Sequence, residues 1–242
     1  MKTKVWAHRG ASAYAPENTL EAFALAVEQK ADGVELDVQL TRDGELVVIH
    51  DETIDRVSEG RGYVRDYTLQ ELKRFHYNKT HPEYAQASIP TLAQVYDLLK
   101  PSGLVINVEI KTGIFFYPGI EEKLNRLEQE MGMGGRIIYS SFNHYSVMRM
   151  KELNPRAKTG LLYADGFQNV PAYAADLGAD ALHPAWYNLQ YEGFLEDCRR
   201  YGLALHVWTV DDEAQMQALA DQRIDAVITN RPDAARRVVD RQ

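Results

Sequence analysis

Two carboxylates two residues apart, Glu35 and Asp37 in the apolar run GVELDVQL, fall on one face if that run is a strand. A second run, LVINVEIK, places Glu109 and Lys111 on one face in the same way, with Asn107 behind them. Charge inside a buried strand is costly without a partner, so these side chains imply a site. Three converging carboxylates repel one another unless positive charge sits among them. An all-oxygen set suits one hard divalent cation, Mg2+ or Ca2+ with Mn2+ as a further option, better than Zn2+. The alternative is an ion-pair network in which Lys111, Arg9 and Lys158 neutralise the acids without a metal. Two histidines end strand-like runs: His8 in WAHRG and His50 in ELVVIHD. Imidazole is the side chain whose ordinary pKa suits proton transfer near neutrality. Either histidine alone reads as structural, whereas the pair beside a metal-like cluster reads as a general acid and a general base. Arg9 and Lys111, with a divalent ion, would balance a phosphodiester and the charge of its transition state. A carboxylate or sulfate ester would satisfy the same charges.

Such residues need elements that bring them together. Strand and helix signals alternate along the chain, with strands expected at KVWAHR, GVELDVQL, LVINVEIK, RIIYSSF, KTGLLYA, ALHPA, ALHVWTV and AVITN. Helical patterns follow each of them. The 242 residues match a (β/α)8 TIM barrel of the α/β class, which puts catalytic groups at the carboxyl ends of its strands. An open doubly wound sheet is the alternative. Asn18 is expected to cap the first helix, and the glycines near 178 and 202 to end helices. The chain reads as a single domain, 1–242, with an insertion at about 51–90 after the second strand region. Following His50 at the presumed carboxyl end of a strand, that insertion would wall the mouth or be a surface ornament.

A net charge of −8 argues against a nucleic-acid or anionic-membrane partner, so an anionic ligand must be attracted locally. No apolar run approaches the ~20 residues of a membrane span, and the amino end shows no signal-peptide pattern. These features lead us to expect a cytoplasmic protein. Cys198, the single cysteine, reads as a buried structural thiol. His76, His81 and His144 read as solvated, and His183 and His206 as pocket lining or core.

His8-Arg9-Gly10, Pro16-Glu17-Asn18-Thr19, Glu35-x-Asp37, His50-Asp51 and Glu109-x-Lys111, taken in order, resemble the signature of the glycerophosphodiester phosphodiesterases of bacterial cytoplasmic type. Ser141-Phe142, Val207-Trp208-Thr209-Val210 and Ile228-Thr229-Asn230-x-Pro232 are similar to that family's later blocks. The resemblance implies a barrel that hydrolyses small glycerophosphodiesters, such as glycerophosphocholine or glycerophosphoethanolamine, to sn-glycerol 3-phosphate and an alcohol. It implies Glu35, Asp37 and Glu109 as metal ligands, His8 and His50 as acid and base, and Arg9 and Lys111 on the phosphate. The nucleophile is then water or the substrate's own glycerol hydroxyl. Trp208 resembles a wall against the glycerol, or is a core aromatic, while Glu17 and Asn18 would brace the first loop. Tyr63, Tyr77, Phe115, Phe116, Tyr117 and Trp186 would contact a head group through cation–π attraction, or simply pack. A lysophospholipase D or sphingomyelinase D-like activity and a non-catalytic phospholigand-binding barrel are the rivals, and monomer and homodimer both stay open.

Overall fold

A computed structural model describes residues 2–241. In chain order its elements are β1 (Lys4–His8), α1 (Leu20–Glu28), β2 (Gly33–Leu40), β3 (Leu46–Val48), α2 (Leu69–Leu72), α3 (Leu92–Leu99), β4 (Val105–Ile110), α4 (Ile120–Glu130), β5 (Ile137–Ser141), α5 (His144–Leu153), β6 (Lys158–Tyr163), α6 (Val170–Asp176), β7 (Ala181–Pro184), α7 (Phe194–Arg200), β8 (Ala204–Val207), α8 (Glu213–Asp221), β9 (Ala226–Thr229) and α9 (Pro232–Val239). All the strands except β3 pair in parallel, and β1 bonds both β2 and β9, so eight strands close into a TIM barrel and the open sheet is excluded. The strands read as near-continuous apolar runs because helices cover one face and the barrel interior fills the other. On the outer face, Val34, Leu36, Val38, Ile106, Val108 and Ile110 join Phe23, Leu92 and Tyr96 in one core, and Val5, Leu161, Leu182 and Val207 join the later helices in another.

Inside the barrel, Trp6 packs with Ala226 and Ile228, and beside it stand His183 and His206. The two imidazoles share a bond of 2.8 Å, and the His183 ring takes the space that a side chain on Gly160 would need. Burial pushes the His183 pKa well below its ordinary value and that of His206 down to about 3, so both are neutral core residues. Cys198 is likewise buried, which pushes its thiol up to about 12.

One local expectation is corrected. Thr19, not Asn18, caps α1: its side chain accepts from the Ala22 amide, while Asn18 is buried at φ 58° and turns inward. The strand that ends before His50 lies outside the barrel's eight. β3 runs antiparallel to β2, with Leu40 opposite Leu46 and Val38 opposite Val48, so a tight return brings the chain back down toward the mouth. The glycines at 178 and 202 do end helices, at φ 69° and 68°. Residues 51–90 carry a 3-10 turn, Val64–Asp66, and α2, and they close over their own small core of Ile54, Val57, Val64, Leu72, Tyr77 and Ile89 against Val47 and Ile49. Among the described residues, no helix is long and apolar enough to cross a membrane.

Candidate active site

Strand register assembles the acids. Glu35 on β2 lies opposite His8 on β1 and Asn107 on β4, and Asp37 lies opposite Glu109. Because these positions point inward, Glu35, Asp37 and Glu109 present oxygens within 4.8 Å of one another, all three side chains being buried. Lys111 Nζ donates to Glu109 Oε1 at 2.9 Å and stands 3.9 Å from Asp37. The backbone amide of Arg9 donates to Glu35 at 3.0 Å, and its side chain stands 3.4 Å from Asp37 and donates to Glu17 at 2.9 Å. Lys158 takes no part: it is 63% exposed and pairs with Asp180 at 2.8 Å, which removes it from the expected neutralising network.

Each histidine is fixed through Nδ1. Asn230 donates its amide nitrogen to Asp211, an acceptor only, which turns its oxygen toward His8 at 2.7 Å and toward Ser12 at 2.8 Å. His8 Nδ1 therefore carries the proton and Nε2 is the free nitrogen, 3.8 Å from Glu35. Burial, then the Arg9 charge, lower the His8 pKa to about 4, so the ring is neutral near pH 7. His50 Nδ1 bonds Asp51 at 2.6 Å, and Arg56 grips that carboxylate with Nε at 2.6 Å and Nη2 at 3.1 Å. The same guanidinium bonds both oxygens of Glu17, at 2.6 and 2.8 Å. The chain of contacts His50–Asp51–Arg56–Glu17–Arg9–Asp37 thus ties the appended segment to the acids at the barrel mouth.

The residues present fit a divalent cation. Oxygens that each lie about 2.0–2.6 Å from one ion stand within roughly 5 Å of each other, as these do. Asp37 Oδ1 is buried without a hydrogen-bond partner, as are both polar atoms of the Asn107 side chain. Burial and the neighbouring carboxylates push Glu35 well above the ordinary carboxylate range. Burial also raises Glu109, with Lys111 opposing it. For Asp37 burial acts upward too, but His50, Arg9, Lys111 and Asn18, whose Nδ2 donates to it at 2.8 Å, outweigh it and hold it down. Five carboxylates (Glu17, Glu35, Asp37, Asp51, Glu109) face three permanently basic side chains (Arg9, Arg56, Lys111), and a single divalent charge makes up the difference.

His8, Arg9, Glu35, His50, Asn107 and Glu109 line a cavity of about 250 Å³ whose remaining wall is Phe142, Leu162, Trp208, Thr209 and Ile228. One part is charged and the other apolar, as a phosphate ester with a small carbon skeleton requires. Trp208 is held by its Nε1, which donates to the His183 carbonyl at 2.7 Å, and its ring meets Phe142 edge-on at 5.6 Å.

The model of the glycerophosphoryl diester phosphodiesterase family matches residues 8–234. The chain belongs to this family. It is 46% identical over 234 residues to a glycerophosphodiester phosphodiesterase of Caldanaerobacter subterraneus, covering 96% of each chain. A Bacillus subtilis enzyme of the same name is 35% identical, with 96% of this chain and 85% of that one covered. An Oleispira antarctica phosphodiesterase, solved with the product sn-glycerol 3-phosphate, superimposes with a TM-score of 0.88 at 28% identity, covering 99% of this chain and 97% of that one. A family member from Agrobacterium tumefaciens gives 0.85 at 28% identity, with 96% and 98% covered. This chain is therefore a phosphodiesterase hydrolase.

The structure brings His8, Arg9, Glu35, His50, Glu109 and Trp208 into the lining of one cavity, with Asp37 and Lys111 beside Glu109. Of the six aromatics read as head-group contacts or simple packing, none lines this cavity, and Tyr77 and Tyr117 are buried in packing elsewhere. Sequence reasoning passed over Arg56, whose only signal is its position six residues after His50, and Asp211, which lies nineteen residues before the asparagine it orients.

Proposed function

We propose that this chain hydrolyses small glycerophosphodiesters, such as glycerophosphocholine and glycerophosphoethanolamine, to sn-glycerol 3-phosphate and the free alcohol. The observation that carries the reading is the buried trio of carboxylates beneath two histidines whose Nδ1 atoms are both engaged, leaving both Nε2 atoms for the substrate. Glu35, Asp37 and Glu109 would hold one divalent cation, Mg2+ or Ca2+, and that ion when bound supplies Lewis-acid polarisation and positive charge at the phosphoryl oxygens. Lys111 and Arg9 hold the phosphate by charge and hydrogen bonds. His8, neutral with Nε2 free, accepts the proton of the attacking oxygen, which is water or the substrate's glycerol hydroxyl; in the second case water then opens the cyclic phosphate to give sn-glycerol 3-phosphate. His50, its imidazolium supported by the Asp51 carboxylate, donates a proton to the departing alkoxide. Trp208 and Phe142 pack against the carbon skeleton and keep water from it.

We read the chain as a single domain of 1–242 with residues 51–90 as its appended wall. The lone buried thiol fits a reducing compartment, and we place the protein in the cytoplasm. The test is glycerol 3-phosphate release from glycerophosphocholine by purified protein, with EDTA and then with Mg2+, Mn2+ or Ca2+ restored. Release that stops with EDTA and returns with metal supports both substrate and site. Release untouched by EDTA removes the metal from the reading, and no release from either ester removes the substrates.

A further inference from the structure

Leu162 and Tyr163 are consecutive on β6, so their side chains point to opposite faces of the barrel wall. Leu162 lines the catalytic cavity, whereas Tyr163 lines a second cavity of about 410 Å³, outside the wall between the loops that follow β6 and β7. We propose that this outer cavity is a binding site for a small organic cation of the methylated-ammonium class, distinct from the catalytic site.

Two observations point to that chemistry. Four aromatic rings, Tyr163, Phe167, Tyr191 and Phe194, stand in the lining, and ring faces attract a weakly hydrated cation. Glu192 and Asp197 are the charged residues of the lining and both are acidic, with no lysine or arginine among them, which disfavours an anion.

The site is also built to keep its shape. Tyr191 packs on the backbone of Gly166 so closely that a methyl group there would lie 2.3 Å from the ring. Phe167 is wedged between Tyr163 and Tyr173, at centroid distances of 5.8 and 5.7 Å. Because the barrel wall separates the two cavities, the occupant is a second molecule and not the far end of a substrate in the catalytic cavity.

The test is titration of the full chain with choline, followed by ligand-observed NMR, alongside its neutral isostere 3,3-dimethylbutan-1-ol. Choline should bind saturably, with the isostere weaker by at least about tenfold. Gly166→Ala, which displaces Tyr191, and Phe167→Ala, at a half-exposed position, should each weaken choline by about tenfold. Phosphodiester hydrolysis should stay unchanged in both variants. Absence of saturable binding overturns the proposal, as does equal binding of the isostere. Choline binding that survives both variants but is displaced by glycerol 3-phosphate also overturns it, because the cation is then in the catalytic cavity.

Discussion

Arg56 shows how a residue remote from the reacting atoms acts on them. Its guanidinium holds Asp51 through two bonds and Glu17 through two more, so the orientation of His50 depends on a side chain that is not part of the cavity lining. Arg56→Ala should lower kcat by about 10- to 100-fold with KM nearly unchanged, since aim and not binding is lost; Arg56→Lys, unable to fork, should recover little of it. A larger rise in KM than fall in kcat would show that Arg56 binds substrate instead. The residues with intrinsic chemistry were readable from the sequence because charge in an apolar strand has few innocent explanations. Their supports were not. Asp211 and Arg56 lie in loops of ordinary composition, Asn230 stood only within a family-like block with no role attached, and only closure of the barrel brings it to His8, 222 residues away. Asn18 was legible as important but misassigned, because an asparagine before a helix reads as a cap until a neighbouring threonine is seen to take that place.

Among the elements, the eight barrel strands were legible because burial on both faces leaves a dense apolar run. The ninth, β3, follows the same rule yet serves another purpose, and nothing in ELVVIHD reveals strand direction; only its pairing does. The elements β6, β7 and α5 meet through Asp180, which accepts bonds from Lys151 at 2.7 Å, Lys158 at 2.8 Å and the Thr159 amide at 3.0 Å. Burial acts to raise its pKa, but these donors outweigh it and hold it below the usual aspartate value. A depressed native pKa contributes stability that is fully present above the unfolded value, near ~3.9, and is lost as pH falls through the native one. Asp180→Asn should therefore cost about 2 kcal/mol at pH 7 and less at pH 3, so that wild type and variant converge in urea melts under acid. An equal gap at both pH values would show that the carboxylate's charge is irrelevant there.

Across the whole molecule, the acidic cluster sets stability against binding. Without a cation, Glu35 is held in a site that favours its neutral form, so its charge opposes folding at pH values above the ordinary carboxylate range. Glu35→Gln should melt higher than wild type in EDTA. A divalent ion at about 100 times its Kd should add about 2.7 kcal/mol to the wild type, roughly 5–11 °C in Tm, and almost nothing to the variant. Calorimetry with and without Mg2+ decides it, and an unchanged wild-type Tm under every divalent ion would remove the cluster's role as a metal site. The bond between His8 and Asn230 has a further consequence, in time rather than space. It joins the end of the first strand to the residue after the last, and it forms only when β9 has paired with β1. A chain emerging in order from the ribosome carries both histidines within its first fifty residues, yet its first histidine stays unaimed until the final eighth has been made. A chain that stops before Asn230 therefore cannot form the bond that orients the His8 ring.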